Sequence, residues 1–150
     1  MATTFVTREQ SRDGLVTLFT AVANAWSVVY GYVPKATSLD GKWPFLIITS
    51  AGTDQSMLQE SFNPARYVFS CVSFVLMDDE ADWKEDDAED KLDDLDKKFR
   101  QTVRDNAAGG AFADAITFAD DQSRTDYMHL DGRAYRTEEW IITTHHYGGS

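Results

Sequence analysis

The stretch DWKEDDAEDKLDDLDKKFRQTVR, residues 82–104, decides how this chain is read. Within it Ala88, Leu92, Leu95, Phe99 and Val103 recur at steps of four, three, four and four, the spacing that keeps side chains on one face of an α-helix. A block of like charge often marks a disordered tail, but this apolar stripe predicts an amphipathic helix over about 83–105 with an acidic outer face. Asp82 with Glu85 three residues on marks its start, and Lys97, Lys98, Arg100 and Arg104 fill the turns where the helix dipole is negative. Asp87 with Lys91, Asp93 with Lys97, Asp94 with Lys98 and Asp96 with Arg100 stand at i, i+4, each pair offsetting the mutual repulsion by about 0.2–0.5 kcal/mol.

From Asp78 to Asp96 there are twelve acids against Lys84 and Lys91, a net charge of −10 out of −11 for all 150 residues. The remainder of the chain is therefore close to neutral. The carboxylates of Asp86, Asp87, Asp90, Asp93 and Asp94 form either a solvated face or a surface for a partner. Such a chain is repelled by phosphate backbones, since duplex binding needs several Lys or Arg along a groove.

Upstream of the helix, Arg66–Met77 places Val68, Val72, Phe74 and Leu76 on one face of a strand and Tyr67, Phe69, Cys71 and Val75 on the other, with Ser70 and Ser73 interrupting. Two apolar faces exceed what a strand with one wet side needs, so one face is expected to meet the core and the other a partner chain. Phe45–Thr49 is short and β-branched, ends at Gly52, and reads as a strand inside a sheet. Between the two, residues 53–63 hold Met57, Leu58 and Phe62 amid polar side chains, the mixture of an arm that orders on contact or folds back on its own domain. Earlier still, Thr7 with Gln10 forms a capping signature for a helix over about 8–25, with Leu15, Leu18, Phe19, Val22 and Ala25 or Trp26 on one face. Gly14 inside it costs up to about 1 kcal/mol relative to Ala. Strand formers follow from Val28, and Pro34 with Ser38–Gly41 marks a loop.

Downstream, Gly109 and Gly110 close the acidic helix and residues 111–121 carry no clear signal. Asp131-Gly132 between Arg124–Leu130 and Arg133–Tyr147 predicts a β-hairpin. A length of 150 residues, 43% hydrophobic content and the absence of an apolar run near 18 residues predict one soluble globular domain over 1–150 with no membrane association. Met1–Gln10 lacks a secretory apolar stretch and Cys71 stands alone, which points to folding in a reducing cytosol.

Catalytic patterns are missing. Neither a phosphate-cradling glycine loop nor a Gly-x-Ser-x-Gly elbow occurs, and the position six after Asp78 is Trp83 where a calcium loop needs Gly. His145 and His146 are neighbours on a strand, so they point to opposite faces and cannot share a metal. Cys71 reads as a small buried hydrophobe. No catalytic residue, metal or cofactor is expected.

The order of these elements, with Tyr32-Val33-Pro34-Lys35, Thr49-Ser50-Ala51-Gly52, Glu89-Asp90-Lys91-Leu92-Asp93-Asp94-Leu95 and Gly132-Arg133-Ala134-Tyr135-Arg136-Thr137-Glu138, resembles the tail terminator (tail completion) proteins of phages with long non-contractile tails. The resemblance implies an α+β fold, a mainly antiparallel four- to five-stranded sheet with two principal helices packed on one face. It also implies a structural virion protein, not an enzyme: a homo-oligomer, hexameric in that family, that caps the tail tube and presents a surface for the head. Its partners would be the tail tube protein and a head–tail connector or neck protein, with DNA only as passing genome. It would sit at the head-proximal end of the tail in the virion, and in the host cytoplasm during assembly. Contact candidates are Met57, Leu58, Phe62, Tyr67 and Phe69. A neck or head-completion connector and an acidic DNA-mimicking adaptor are the competing readings.

Overall fold

The computed structural model describes residues 6–35, 43–54, 65–77, 85–109, 112–120, 122–130 and 132–146. Helix α1 is Arg8–Thr20 and helix α2 Glu85–Asp105; the strands are β1 Val28–Tyr30, β2 Phe45–Asp54, β3 Ala65–Leu76, β4 Ala115–Phe118, β5 Arg124–Leu130 and β6 Arg133–His146. They form one sheet in the order β1-β2-β3-β6-β4, with β5 also paired to β6. Among the described residues only β1–β2 pairs in parallel, so the molecule is α+β with a mostly antiparallel sheet. Six strands stand where four or five were expected, because the short β4 lies inside the unassigned 111–121 stretch.

α1 starts as its sequence dictates. The Gln10 amide donates to Thr7 Oγ1 at 3.1 Å and the Thr7 amide to Gln10 Oε1 at 2.9 Å, closing the capping box. It stops at Thr20 rather than about 25, since Asn24 takes a φ of +57° that turns the chain and sends Ala25 and Trp26 back into the core. α2 brings Ala88, Leu92, Leu95, Phe99 and Val103 into the same cluster as Leu15 and Phe19 of α1. Its expected cap at Asp82 lies outside the described residues. Gly109, at φ +79°, follows the helix end.

Strand alternation divides the sheet residues between two clusters. Leu46, Ile48, Tyr67, Phe69, Cys71, Val75, Trp140 and Ile142 pack with the helices. Phe45, Ile47, Phe74, Leu76 and Tyr135 gather with Tyr30 in a second cluster to which neither helix contributes. The serines that break the β3 alternation have distinct roles. Buried Ser73 accepts the Trp26 indole N–H at 2.7 Å, and Ser70 donates to Glu139 at 2.7 Å on the other side of the sheet. β2 has Phe45–Ile48 buried on both faces and continues past Gly52 to Asp54 through an irregularity between Ser50 and Gly52.

Gly14 is required by packing. A Cβ there would overlap the Phe112 side chain. Gly14→Ala is therefore expected to destabilise the protein: overpacking costs about 1–3 kcal/mol, against about 1 kcal/mol of helix propensity gained. Urea unfolding checks this, and in a Phe112→Gly background, which removes both the Cβ and the ring that the new methyl meets, the added cost of Gly14→Ala should largely vanish.

Candidate functional site

Two surfaces stand out: the outer side of α2 and the sheet face of the second cluster, which holds no helix residue among those described. On α2 the apolar stripe is buried, which turns Asp87, Asp90 and Asp93 outward. The side chain of Asp86 is outside the described residues. Asp94 is half-buried and meets Lys98 at 2.9 Å and Lys91 at 3.8 Å; the Lys98 hydrogen bond, helped by the nearby lysines, holds its carboxyl below the usual range. Asp96 pairs with Arg100 at 2.9 Å as its spacing predicts, whereas Asp93 and Lys97 close no ion pair. Glu89 reaches across to Arg136 of β6 at 2.8 Å. Of the six acids from Asp87 to Asp96, Glu89, Asp94 and Asp96 are thus paired locally with a base.

Beneath α2 runs a polar chain. Asp96 Oδ1 accepts the Trp140 indole N–H at 2.8 Å and the Arg100 Nε–H at 2.9 Å. Arg100 also donates to Ser123 at 3.1 Å, and Ser123 donates to Glu138 at 2.6 Å. Glu138 is 5% exposed, and burial raises its pKa, with Asp96 adding to the shift while Ser123, Arg100 and Arg136 oppose it. The network ties α2 to the base of the β5–β6 hairpin, whose turn contains Gly132 at φ +77°. Asp131 falls outside the described residues.

The second sheet face carries Val68, Ser70 and Val72 of β3 beside Glu139 and Ile141 of β6, all half-buried, next to the buried Phe45, Phe74 and Tyr135. Phe45 and Phe74 stack at 4.7 Å, with Tyr135 edge-on at 5.6 and 5.8 Å. This is the second apolar side that the alternation of β3 predicted.

Tyr67 and Phe69, expected as contact residues, are not on it. They are 3% and 0% exposed, and they lie on the side of β3 that packs with the helices, where the Tyr67 hydroxyl donates to the Val6 carbonyl at 2.9 Å. The alternation separated two faces without marking which one would join the larger core cluster. Met57, Leu58 and Phe62 lie outside the described residues.

His145 and His146 do point apart. His146 shares a 2.6 Å hydrogen bond with Ser11 and lies 5.1 Å from the Tyr67 ring, while His145 shares one of 2.8 Å with Thr117. Burial lowers the pKa of both; His145 also repels His146 and Arg66 opposes His145, while Asp114 works the other way on His146. A folded-state pKa below 6.5 means that the unfolded chain binds more protons in the window between the two values, so stability falls as pH drops through it. The melting temperature is expected to decline from pH 7.5 to 5.5, and the difference curve against His146→Gln should isolate this share of it.

Cys71 is buried, with its thiol pKa pushed up by burial and by Glu139, which suits a packed hydrophobe. Among the described residues no group of three His, Cys, Asp or Glu could hold a metal ion, and no helix is long and apolar enough to cross a membrane. No protein-family description and no curated protein matches this chain.

Proposed function

We propose that this protein is a ring-forming structural component of a phage tail, which caps the tail tube, ends its polymerisation and offers the surface on which the head is joined. It has both helices on one face of the sheet and offers the other face to the tail tube. The observation that carries the reading is that second face, where Val72 packs on an aromatic cluster with no helix residue among those described, and the half-buried Val68 and Ile141 lie on the same side of their strands. The resemblance in element order supplies the identity of the partners. Six copies at −11 each would carry −66, most of it on α2 and the residues just before it, and an acidic lumen would let the genome pass without sticking. The DNA-mimic reading has less support, because Asp94, Asp96 and Glu89 are occupied by Lys98, Arg100 and Arg136 instead of being displayed as a phosphate-like row.

Light scattering of the purified protein, alone and with tube protein, tests the proposal. Discrete oligomers and a stable cap on tubes of fixed length are expected. A strictly monomeric chain that leaves tube length unregulated would overturn it. Labelled microscopy of tail-less particles separates it from a head-side connector, which would remain attached there.

A further inference from the structure

We propose that the β5 edge of one copy docks into the groove between α2 and β4 of the next, so that neighbouring subunits join head to tail. The inference rests on the ring reading and names the surfaces that would build the ring. β5 and β4 lie in line along one side of β6, β5 against Arg133–Glu139 and β4 against Ile142–His145. At the β5 end Tyr127 is 62% and Met128 40% exposed, large apolar groups on a strand whose outer edge pairs with no other strand among the described residues. The Arg136 guanidinium lies 4.4 Å over the Tyr127 ring and is held there by Glu89, which puts the adjoining α2 turn, with exposed Asp90 and Asp93, on the same part of the surface. Tyr127 is thus a knob beside carboxylates.

At the β4 end is a groove of about 390 Å³, floored by Val103, Ile116 and Phe118 and bordered by Arg100 and Arg104. Arg100 is paired with Asp96 and lies 5.5 Å from the Phe118 ring. Arg104 is exposed and makes no ion pair among the described residues. This is an apolar socket beside cations.

Charge complementarity selects a second copy as the occupant. Along α2, Glu85–Asp96 holds eight acids and one lysine, a net of −7, while Lys97–Asp105 holds four bases and one acid, a net of +3. Asp90 and Asp93 at the first end, and Lys97 and Arg104 at the second, are all without an ion-pair partner among the described residues. Knob and socket of one chain cannot meet, because their β6 partners Arg136 and Thr143 are seven residues apart, about 23 Å along the strand. Two copies can bring them together, and a contact between two different patches generates a closed ring when the rotation closes. The same contact would cover the open β5 edge.

The test uses Arg104→Glu and Tyr127→Ala, both at exposed positions, with circular dichroism and melting temperature confirming the fold. In light scattering each variant alone is expected to shift from oligomer to monomer, with dissociation at least tenfold easier than for the unaltered chain. An equimolar mixture should give dimers and nothing larger, since only the Tyr127 knob of one variant and the intact groove of the other remain competent. Unaltered protein that oligomerises together with variants that do so equally well would overturn the inference and leave the ring reading standing. Variants that stay oligomeric and lose only tube-protein capture would overturn it in favour of a tube contact. A monomeric unaltered protein would remove both.

Discussion

Phe99→Ala is expected to cost about 3–5 kcal/mol, the range for deleting a fully buried aromatic ring. Phe99 stacks on Phe19 at 4.6 Å with 4° between planes and on Trp140 at 4.1 Å with 8°, while Trp26 meets it edge-on at 6.4 Å. These rings come from α1, from the turn after it and from β6, so one truncation opens the contact among three parts of the chain at once. The cavity cannot collapse easily, because Trp140 is held by its bond to Asp96 and Trp26 by its bond to Ser73. Phe99→Leu should cost markedly less, since it retains most of the buried volume. Urea unfolding at fixed protein concentration checks both values, and an alanine variant within 1 kcal/mol of the unaltered chain would show that the ring stack does not hold the helices to the sheet.

Phe99 also shows what a sequence makes legible. Its place follows from a stripe of five apolar residues in a helix that is otherwise nearly all charged, a local pattern with one geometric solution, and all five are buried. The hairpin strands Arg124–Leu130 and Arg133–His146 were equally readable, because a Gly next to Asp between two strand-forming runs specifies a turn by backbone conformation alone. The stop of α1 was not. Val22, Ala25 and Trp26 continue the helical period, and it is tertiary packing of Trp26 against Ser73, Phe19 and Phe99 that draws the chain away. β4 was hidden for the opposite reason: four residues hold too little pattern, and their strand state comes from pairing with the end of β6. β1, only three residues and paired in parallel, ends at Tyr30, so Tyr32 and Val33, strand formers ahead of the loop at Pro34, are exposed.

The candidate surfaces divide along the same line. That β3 has two apolar sides can be counted from its residues, but Tyr67 and Phe69 were placed on the partner side and belong to the core. A period of two fixes alternation and leaves the choice of side to long-range packing. The groove between α2 and β4 was out of reach for a different reason: half of it is built from a strand that had no signal of its own.

Under the proposed function, Ile141→Lys, on the sheet face of the second cluster, is expected to abolish capture of tube protein while leaving the monomer folded. Ile141 is half-buried, pairs with Ser70 of β3, and has Glu139 two residues away on the same side of the strand. A lysine stem can lie over the site with its ammonium near that carboxylate, so the fold should lose little, about 1 kcal/mol or less. A partner seated on the face would instead have to bury the new charge. A hot-spot residue at the centre of an interface costs about 2 kcal/mol or more when lost, about 30-fold in affinity, and a buried unpaired charge there adds to that. Val68→Lys, one strand over, should act in the same direction, whereas Glu9→Lys on the exposed first turn of α1 should leave capture unchanged. Pull-down with tube protein and the length distribution of assembled tubes read the effect, with melting temperature as the control on folding. If Ile141→Lys and Val68→Lys bind and terminate tubes as well as the unaltered chain does, the partner sits elsewhere, and the second apolar side of β3 serves only to complete the protein's own core.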